Sequence, residues 1–348
     1  MVARRAQGKP RRREGRGGEA PGSEGISRFA RSPTGRVEPG RDSLFPLPYT
    51  PGVTLLVTDP IYLEHRISGH VECPERLEAI LDHLKKTGLL SRLRSWAARD
   101  ATVDEVALCH DRAYIEVVRE ACERGGGWFD ADTYLNGRSF AAAIRATGGV
   151  LAAIEAVREG VDRNALCLVR PPGHHATPRG GMGFCLFNNA AVGARFLRRR
   201  VLIVDWDVHH GNGTQDIFEQ DPTVWYFSTH RFPFYPGTGS AGERGVGNIL
   251  NIPMALETPR EEFVEKFEVA IRKAKREFDP EWVIVSCGFD AYEHDPIGGL
   301  NLKPEDFRTL TDILVKLDRP IVSVLEGGYS LEGLGPCAEH HVRGLLAG

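Results

Sequence analysis

Residues 201–213 read VLIVDWDVHHGNG and combine an apolar run with a dense group of polar side chains. Residues 201–204 are all apolar, as in a central strand of a parallel sheet. Asp205, Asp207 and His209 follow this run at once. Carboxylates at the end of a buried strand cost free energy unless a partner neutralises them. The stretch therefore predicts a parallel sheet with a neutralising partner at the end of this strand.

Short apolar strands alternate with amphipathic helices from about residue 50 onward. Strands are predicted near 54–59, 165–170, 201–207, 223–229, 249–253, 282–288 and 320–325, and helices near 74–87, 111–124, 138–158, 188–199, 259–278 and 304–317. Such alternation is typical of an α/β sandwich with a mostly parallel central sheet. We therefore divide the chain into a basic N-terminal extension and linker, residues 1–50, and one folded domain, residues 51–348.

The charge and hydropathy of the sequence limit the partners that the protein is expected to bind. Residues 1–42 carry 11 basic and 5 acidic side chains, and the remainder has a net charge of −9. The extension is predicted to be disordered, and its role stays open. An acidic body does not favour nucleic acid as a partner. The sequence also predicts no membrane partner, because no apolar run approaches the roughly 20 residues of a spanning helix. It does not determine the oligomeric state.

The seven cysteines are an odd number and form no CxxC pairs. Cys167, Cys185 and Cys287 lie in or beside apolar runs, which predicts buried free thiols. Free thiols suit a reducing cytoplasm rather than a disulfide framework.

Five predicted strands end in reactive or conformationally special residues. The segments that follow them are RPPGHHA, DVHHGNG, THRFPFYPGTG, GFDAYEHDP and EGGYS. Ligand sites of open parallel sheets form outside the carboxyl ends of the strands. We therefore expect these five loops to converge on one edge of the sheet.

Two of these loops contain candidate metal ligands. Asp207 and His209 are two positions apart, so in extended chain their side chains point to one side. Asp290 follows another strand and is a candidate third ligand. Two carboxylates and one imidazole leave the open position of a catalytic zinc site, where the ion polarises a carbonyl and lowers the pKa of water. The alternative is that Asp207 caps a turn and His209 is a satisfied buried histidine, and the other polar strand ends favour the metal.

The tandem histidines His174 and His175 suit proton transfer, because imidazole titrates near neutral pH. Asp205 and Asn212 are candidate acceptors that would orient the two rings. Tyr329 follows two glycines, and its phenol could donate a hydrogen bond to a developing oxyanion.

Six segments together resemble the zinc-dependent histone deacetylase family, which includes bacterial deacetylase-like amidohydrolases and acetylpolyamine amidohydrolases. They are RPPGHHA, GFCLFNNAAVGA, VLIVDWDVHHGNGTQDIF, PFYPGTGS, VSCGFDAYEHDP and LEGGYS, in the family's order. The resemblance covers about residue 54 to the C-terminus. It implies an arginase-like three-layer α/β fold and a catalytic domain that removes acetyl groups from acetyl-lysine-type amides.

Site roles follow from the resemblance by position. Asp207, His209 and Asp290 match zinc ligands, although this set also accepts ferrous iron. His174 and His175 match the catalytic pair, with His175 as the proton shuttle, and Tyr329 matches the transition-state tyrosine. Five further residues match positions that contact the substrate or its product in the family. They are Gly183, through its carbonyl, Phe184 and Tyr235 in the walls of the channel, Asp132 at the mouth of the channel, and Arg76 in an inner cavity that releases acetate. A monovalent-cation site, suited to potassium, is matched by Asp205, Asp207, His209, Ser228 and Thr229.

Three alternatives stay open beside hydrolysis of acetylated lysine side chains. Acetylated polyamines or other small amides need the same chemistry and differ only at the rim. A non-catalytic acyl-lysine binding module would keep the pocket without turnover. A two-manganese ureohydrolase would need a further ligand where Gly211 stands. The sequence departs from the family pattern at two positions. Asn212 stands where some members have Asp; because an amide is a weaker acceptor than a carboxylate, His175 is predicted to be less basic. Val71 stands where the family often has proline.

Overall fold

The computed structural model describes residues 53–348. The basic extension and linker assigned to residues 1–50 lie outside this range, and that assignment stays a prediction.

The main sheet has eight strands, and every pairing between them is parallel. Their order across the sheet is β2-β1-β5-β10-β9-β6-β7-β8. The strands are β1 (Thr54–Val57), β2 (Leu93–Trp96), β5 (Asn164–Cys167), β6 (Val201–Asp205), β7 (Val224–Arg231), β8 (Ile249–Met254), β9 (Trp282–Cys287) and β10 (Ile321–Leu325). A separate antiparallel pair is formed by β3 (Gly126–Trp128) and β4 (Tyr134–Asn136). The predicted mostly parallel α/β sheet is confirmed.

Helices surround the sheet. They are α1 (Glu75–Lys86), α2 (Val103–Val106), α3 (Arg112–Glu123), α4 (Ser139–Arg158), α5 (Asn189–Leu197), α6 (Asn212–Phe218), α7 (Arg260–Glu277), α8 (Pro304–Val315) and α9 (Leu331–Leu345). Short 3₁₀ turns cover Pro60–Glu64 and Leu90–Arg92. Helices α4 and α5 pack together against the central strands, while α9 packs between α1 and α8.

The predicted strands and helices all form, with ends shifted by a few residues. The sequence did not predict β2, the β3–β4 pair, α2, α6 or α9. Helix α9 contains Gly333, Gly335 and Pro336, which disfavour a helix intrinsically. It forms because the Ser330 hydroxyl caps it by accepting from the Gly333 amide, and because its apolar face is buried.

Helix α4 corrects one expectation about apolar segments. By length and composition it could cross a membrane, although no run of that size was expected. Within the fold 78% of its most apolar window is buried. Such burial explains the composition, because a helix enclosed by the core is apolar on most of its circumference.

The register of the sheet brings the polar strand ends together. Asp205, the last residue of β6, lies opposite Ser228 of β7 on one side and Ser286 of β9 on the other. Strand β10 pairs with β9, so the loop that starts at Glu326 lies beside the loop that carries Asp290. Cys167, Cys185 and Cys287 are buried free thiols, as predicted.

A buried ion cluster attaches the segment before α1 to the sheet. The Glu72 carboxylate accepts from Arg76 Nη1 at 2.9 Å and from Arg170 Nη2 at 2.7 Å, and all three side chains are buried. Burial alone would raise the pKa of Glu72, but the two guanidinium groups outweigh it and lower the pKa to about 2. The ionised Glu72 therefore stabilises the folded state fully at pH values above its ordinary pKa of 4.5, and this stabilisation is lost as the pH falls towards 2.

We expect Glu72→Gln to lower the free energy of unfolding by about 3–5 kcal/mol, because it leaves two buried guanidinium groups without a counter-charge. Urea denaturation at pH 7 measures this loss. Glu116→Gln is the matched control, since it breaks the exposed ion pair with Arg119 and should leave the midpoint unchanged. Equal effects of the two substitutions would contradict a structural role for the buried cluster.

Candidate functional site

Asp207, His209 and Asp290 meet at the carboxyl edge of the sheet. His209 Nδ1 lies 3.0 Å from Asp207 Oδ1 and 3.3 Å from Asp290 Oδ2. Both carboxylates are fully buried. Asp207 Oδ2 accepts from the Gly327 amide and Asp290 Oδ1 accepts from the Val208 amide. Within residues 53–348, Asp290 Oδ2 has no hydrogen-bond partner.

This donor set fits a divalent cation. Donors bound tetrahedrally at 2.0–2.1 Å from one ion lie about 3.3 Å apart, close to the two observed separations. Burial, followed by repulsion from Asp207, raises the pKa of Asp290 to about 7. Burial alone would lower the pKa of His209, but the two carboxylates raise it to about 9. Two buried carboxylates held this close need a positive partner, and an ion bound between them supplies one.

Gly327 allows the carboxylates to converge. A Cβ at this position would lie 2.0 Å from Asp290 Oδ2 and 2.5 Å from Asp207 Oδ2. Any larger residue would therefore push a side chain into the space between the two acids. The Gly–Gly–Tyr segment is required by this packing as well as by the position of Tyr329.

The two tandem histidines have different hydrogen-bond partners. His174 Nδ1 donates to Asp205 Oδ2 at 3.1 Å, and His175 Nδ1 donates to Asn212 Oδ1 at 2.7 Å. Both rings are buried, with centroids 4.0 Å apart. Asp205 and Asn212 thus lie in the positions predicted for ring-orienting acceptors.

These partners separate the protonation behaviour of the pair. Burial alone would lower the pKa of His174, but the charges of Asp207 and Asp205 raise it to about 10. Burial and the positive charges of His174 and His209 hold the pKa of His175 well below its ordinary value. The surroundings therefore favour a protonated His174 beside a neutral His175, an arrangement that supplies a proton donor beside a proton acceptor.

A pocket of about 190 Å³ leads from the surface to this group. It is smaller than sites for drug-sized ligands, so it suits one slender chain. Its lining residues are Asp132, His175, Gly183, Phe184, His209, Phe234, Tyr235, Ile297 and Tyr329. The five strand-end loops contribute most of them, so the predicted convergence is observed.

Aromatic rings form much of the wall. The Tyr235 ring stands edge-on to His175 at 5.2 Å, and the Phe184 ring stands edge-on to Tyr329 at 5.7 Å. Phe234 stacks on His209 at 5.2 Å with a 13° interplanar angle. Apolar rings around a narrow pocket suit an alkyl chain better than a charged group.

Tyr329 and Arg76 lie against each other at the inner side of the pocket. Tyr329 is 8% exposed, and burial raises the pKa of its phenol well above the ordinary value, which keeps it a hydrogen-bond donor. The Arg76 guanidinium lies 4.9 Å from the centre of the Tyr329 ring. Arg76 is buried behind this ring and is not among the residues that line the pocket, so the inner acetate cavity stays a prediction.

Gly183 and Phe184 enter the pocket through an unusual backbone conformation. Their φ angles are +55° and +71°, both in the left-handed region. A Cβ at Gly183 would lie 2.4 Å from His175 Cδ2, so the position requires glycine. The Phe184 amide donates to Thr133 Oγ1 at 3.0 Å, which joins this turn to the segment that carries Asp132.

The residues predicted for a monovalent cation lie on adjacent strand ends of β6 and β7. Ser228 and Thr229 are fully buried, and Thr229 Oγ1 has no hydrogen-bond partner among the described residues. Asp205 lies directly opposite Ser228 in the sheet. Oxygen donors of this kind suit a hard cation, so the grouping is compatible with the predicted potassium site.

Several site residues were missed by sequence reasoning. Phe234 and Ile297 line the pocket, Tyr226 donates to Asp205 Oδ2 at 2.9 Å, and Asp295 accepts from the Tyr329 amide at 2.6 Å. Glu326 accepts from the amides of Gly173 and His174. Phe234, Asp295, Ile297 and Glu326 lie in or beside the segments already identified, so proximity to those segments was the available signal.

Comparison with protein families gives one extended match. The model of the histone deacetylase domain matches residues 70–345 of this chain. This range contains every residue discussed for the pocket and the acidic group.

Individual proteins are similar over the same region. The uncharacterised protein slr0245 of Synechocystis sp. is 40% identical over 298 residues, which are 82% of this chain and 97% of that protein. Human polyamine deacetylase HDAC10 is 40% identical over 299 residues, 79% of this chain and 44% of HDAC10. This chain thus spans less than half of that relative. The crystal structure of the HDA15 HD domain superposes with a TM-score of 0.81 at 37% identity, covering 84% of this chain and 88% of that one.

We expect the wild-type chain to bind one divalent ion and Asp290→Ala to bind zinc at least about 100-fold more weakly, because the substitution removes one of three ligands. Titration calorimetry measures the affinity, and thermal unfolding should show a zinc-dependent rise in Tm that the variant lacks. Asp216→Ala, on α6 and outside the donor set, is the control. Zinc binding of equal strength in Asp290→Ala would contradict the assignment.

Proposed function

Because the chain belongs to the histone deacetylase family, we propose that it is a zinc-dependent deacetylase that hydrolyses acetamides of primary alkyl amines. Its substrates are acetylated lysine side chains or acetylated polyamines. The observation that carries this proposal is the meeting, at the end of one narrow aromatic pocket, of a three-ligand metal donor set, two histidines with different hydrogen-bond partners and a tyrosine side chain.

The pocket selects the substrate by shape. An acetylated butylamine chain is slender and apolar until its amide, so it can lie between the rings of Phe184 and Tyr235. The amide then reaches the level of His175, His209 and Tyr329, which line the same pocket. A bulky or charged group at that depth would lose its hydration against aromatic walls without compensation.

Asp207, His209 and Asp290 would hold the metal. A divalent ion bound there supplies Lewis acidity toward the acetyl carbonyl and makes water a better nucleophile. Zinc is the proposed ion because two carboxylates and one imidazole leave an open coordination position. Ferrous iron is the alternative with the same ligands.

His175 is the proposed general base. Its surroundings favour the neutral form by lowering its pKa, its Nδ1 is fixed by Asn212, and its ring borders the pocket. It can therefore accept the proton of the attacking water. Asp207 and Asp205 favour the protonated form of His174, whose charge would stabilise negative charge that develops near it. When the C–N bond breaks, His175 gives the proton that it took from water to the departing amine, and the acetyl group leaves as acetate.

Tyr329 is the proposed hydrogen-bond donor to the oxyanion. The phenol is buried and remains protonated. The Asp295 carboxylate fixes its backbone by accepting from the amides of Tyr329 and Ser330. A donor held in advance gains strength in a site that excludes water.

The first prediction for this function concerns Tyr329→Phe, which removes only the phenol hydroxyl. We expect kcat on a fluorogenic acetyl-lysine peptide and on acetylputrescine to fall by about 10²–10³, the usual cost of one oxyanion donor. The assay is run on chelated enzyme before and after zinc is restored. Tyr292→Phe, outside the pocket, is the matched control and should retain wild-type turnover.

Two outcomes would reject the proposal. Turnover that survives complete chelation would exclude the metal-dependent reaction. No turnover of either substrate, despite one bound ion per chain, would favour a binding module instead.

A second prediction concerns the pH dependence. Asn212→Asp places a carboxylate against His175 Nδ1 and should raise the pKa of that imidazole. The acid limb of kcat/KM, where the base becomes protonated, should then move to higher pH by about one unit or more. Asn301→Asp, an exposed position, is the control. An unmoved acid limb in Asn212→Asp would remove His175 from the role of base.

A further inference from the structure

Two buried side chains beside the catalytic group take no part in the proposed reaction. Cys185 and Glu326 are both fully buried, and each lies in a segment that also carries a residue of the pocket. One donor atom of Cys185, one of Glu326 and one of His174 lie within 4.8 Å of one another. A thiol, a carboxylate and an imidazole gathered inside a protein are the side chains that hold transition-metal ions.

Glu326 brings an unpartnered oxygen to this group. Its Oε2 accepts from the Gly173 amide at 2.6 Å and from the His174 amide at 3.1 Å, so the carboxyl group is fixed in position. Its Oε1 has no hydrogen-bond partner among residues 53–348. A fully buried carboxylate oxygen without a partner is unfavourable, and a cation bound beside it would supply that partner.

The sulfur and the imidazole are also held in place. Cys185 Sγ lies 3.4 Å from the Gly183 carbonyl oxygen and 3.5 Å from the His175 amide nitrogen. His174 donates through Nδ1 to Asp205 Oδ2, so Nε2 is the ring nitrogen that can bind an ion. Three different donors therefore meet in the interior, and none of them belongs to the set Asp207, His209 and Asp290.

We propose that His174, Cys185 and Glu326 form a second divalent-cation site, distinct from the catalytic one and selective for thiophilic ions. Cadmium and zinc beyond the catalytic equivalent belong to this class, because thiolate and imidazole ligands favour them, whereas magnesium prefers oxygen ligands. Binding replaces the thiol proton of Cys185 and any proton on His174 Nε2, and both protons pass to solvent.

This second site fills after the catalytic site. The catalytic set has two carboxylates, with donor separations of 3.0 and 3.3 Å from the His209 nitrogen. The second group has one carboxyl group and a thiol that must lose its proton. Burial raises the pKa of the Cys185 thiol well above its ordinary value, so an ion must compete with a proton at neutral pH. Occupancy of the second site therefore requires metal in excess.

An ion at the second site should inhibit turnover. Gly183 and His175 line the pocket and also contact Cys185 Sγ, so the pocket is the route by which an ion arrives. A bound ion takes the His174 nitrogen and removes the proton whose charge the proposed reaction uses. This consequence rests on the proposed deacetylase function, whereas the binding of the ion does not.

The test adds cadmium to the full zinc-loaded chain that carries Cys73→Ser. This background removes the partly exposed thiol, and the other six cysteines are buried. A thiolate bound to cadmium has an ultraviolet charge-transfer absorption, and the catalytic ligands contain no sulfur, so the absorption reports only a thiolate site. We expect this absorption, with one cadmium and one zinc per chain after gel filtration. Magnesium should produce no change.

Two substitutions locate the site. Cys185→Ser removes the sulfur, and Cys167→Ser is the matched control, because Cys167 is an equally buried free thiol on β5 outside the group. The absorption should disappear in Cys185→Ser and remain in Cys167→Ser. Half-inhibition of acetyl-lysine turnover should need at least about tenfold more cadmium in Cys185→Ser than in the control. Glu326→Gln should weaken cadmium binding by about tenfold or more, since an amide is a poorer ligand than a carboxylate. It keeps the test decisive if Cys185→Ser does not fold.

The outcomes separate this site from the proposed function. No absorption in the Cys73→Ser chain, or an absorption that survives Cys185→Ser, overturns the second site. Cadmium that replaces the zinc without producing the absorption binds only the catalytic ligands and also overturns it. The absorption should persist in Asp290→Ala, where the catalytic set is broken. A chain that shows the absorption and loses it in Cys185→Ser, but deacetylates no substrate, supports the second site and rejects the deacetylase function.

Discussion

The accumulation of buried carboxylates at one end of a parallel sheet is the constraint on which the site depends. Asp205, Asp207, Asp290 and Glu326 are all fully buried and belong to the neighbouring strand ends of β6, β9 and β10. Each would be unstable alone. The fold compensates them with backbone amides and imidazoles, but among the described residues Asp290 Oδ2 and Glu326 Oε1 have no hydrogen-bond partner. The Asp290 oxygen lies close to donor atoms of Asp207 and His209. The unpartnered oxygen of Asp290 is therefore what makes this group of residues a candidate metal site.

The same constraint gives the two histidines different properties. They are consecutive in the chain and almost equally buried, so burial alone would lower both pKa values. Asp205 faces His174, whereas the uncharged Asn212 faces His175. The charges of Asp207 and Asp205 favour the protonated form of His174, whereas His175 has the uncharged Asn212 as its hydrogen-bond partner and is repelled by a charged His174. The strand end and the turn after it, residues 205–212, therefore supply the groups that make the two rings differ.

Much of this arrangement could be predicted from the sequence because it depends on local patterns. Apolar runs mark the strands, and the rule that parallel strands present their carboxyl ends together places Asp207, His209 and Asp290 on one edge. Contacts between segments that are far apart in the chain cannot be predicted from such local patterns. Helix α9 forms despite Pro336 because its buried face outweighs its poor propensity, and edge strand β2 is four residues long with two exposed side chains. Tyr226 joins the site only through its cross-strand contact with Asp205, which no spacing in the chain reveals.

The segment beside the mouth of the pocket is fixed by residues that also stabilise the fold. The segment that carries Ile67 and His70 is fixed from below by Glu72, which pairs with Arg170 at the end of β5 and with Arg76 on α1. Arg76 in turn lies against Tyr329. His70 is fixed from the side by the Asp132 carbonyl. A pocket wall held at this many points loses little conformational entropy when a ligand binds. The ion cluster that stabilises the fold therefore also preorganises the mouth of the pocket.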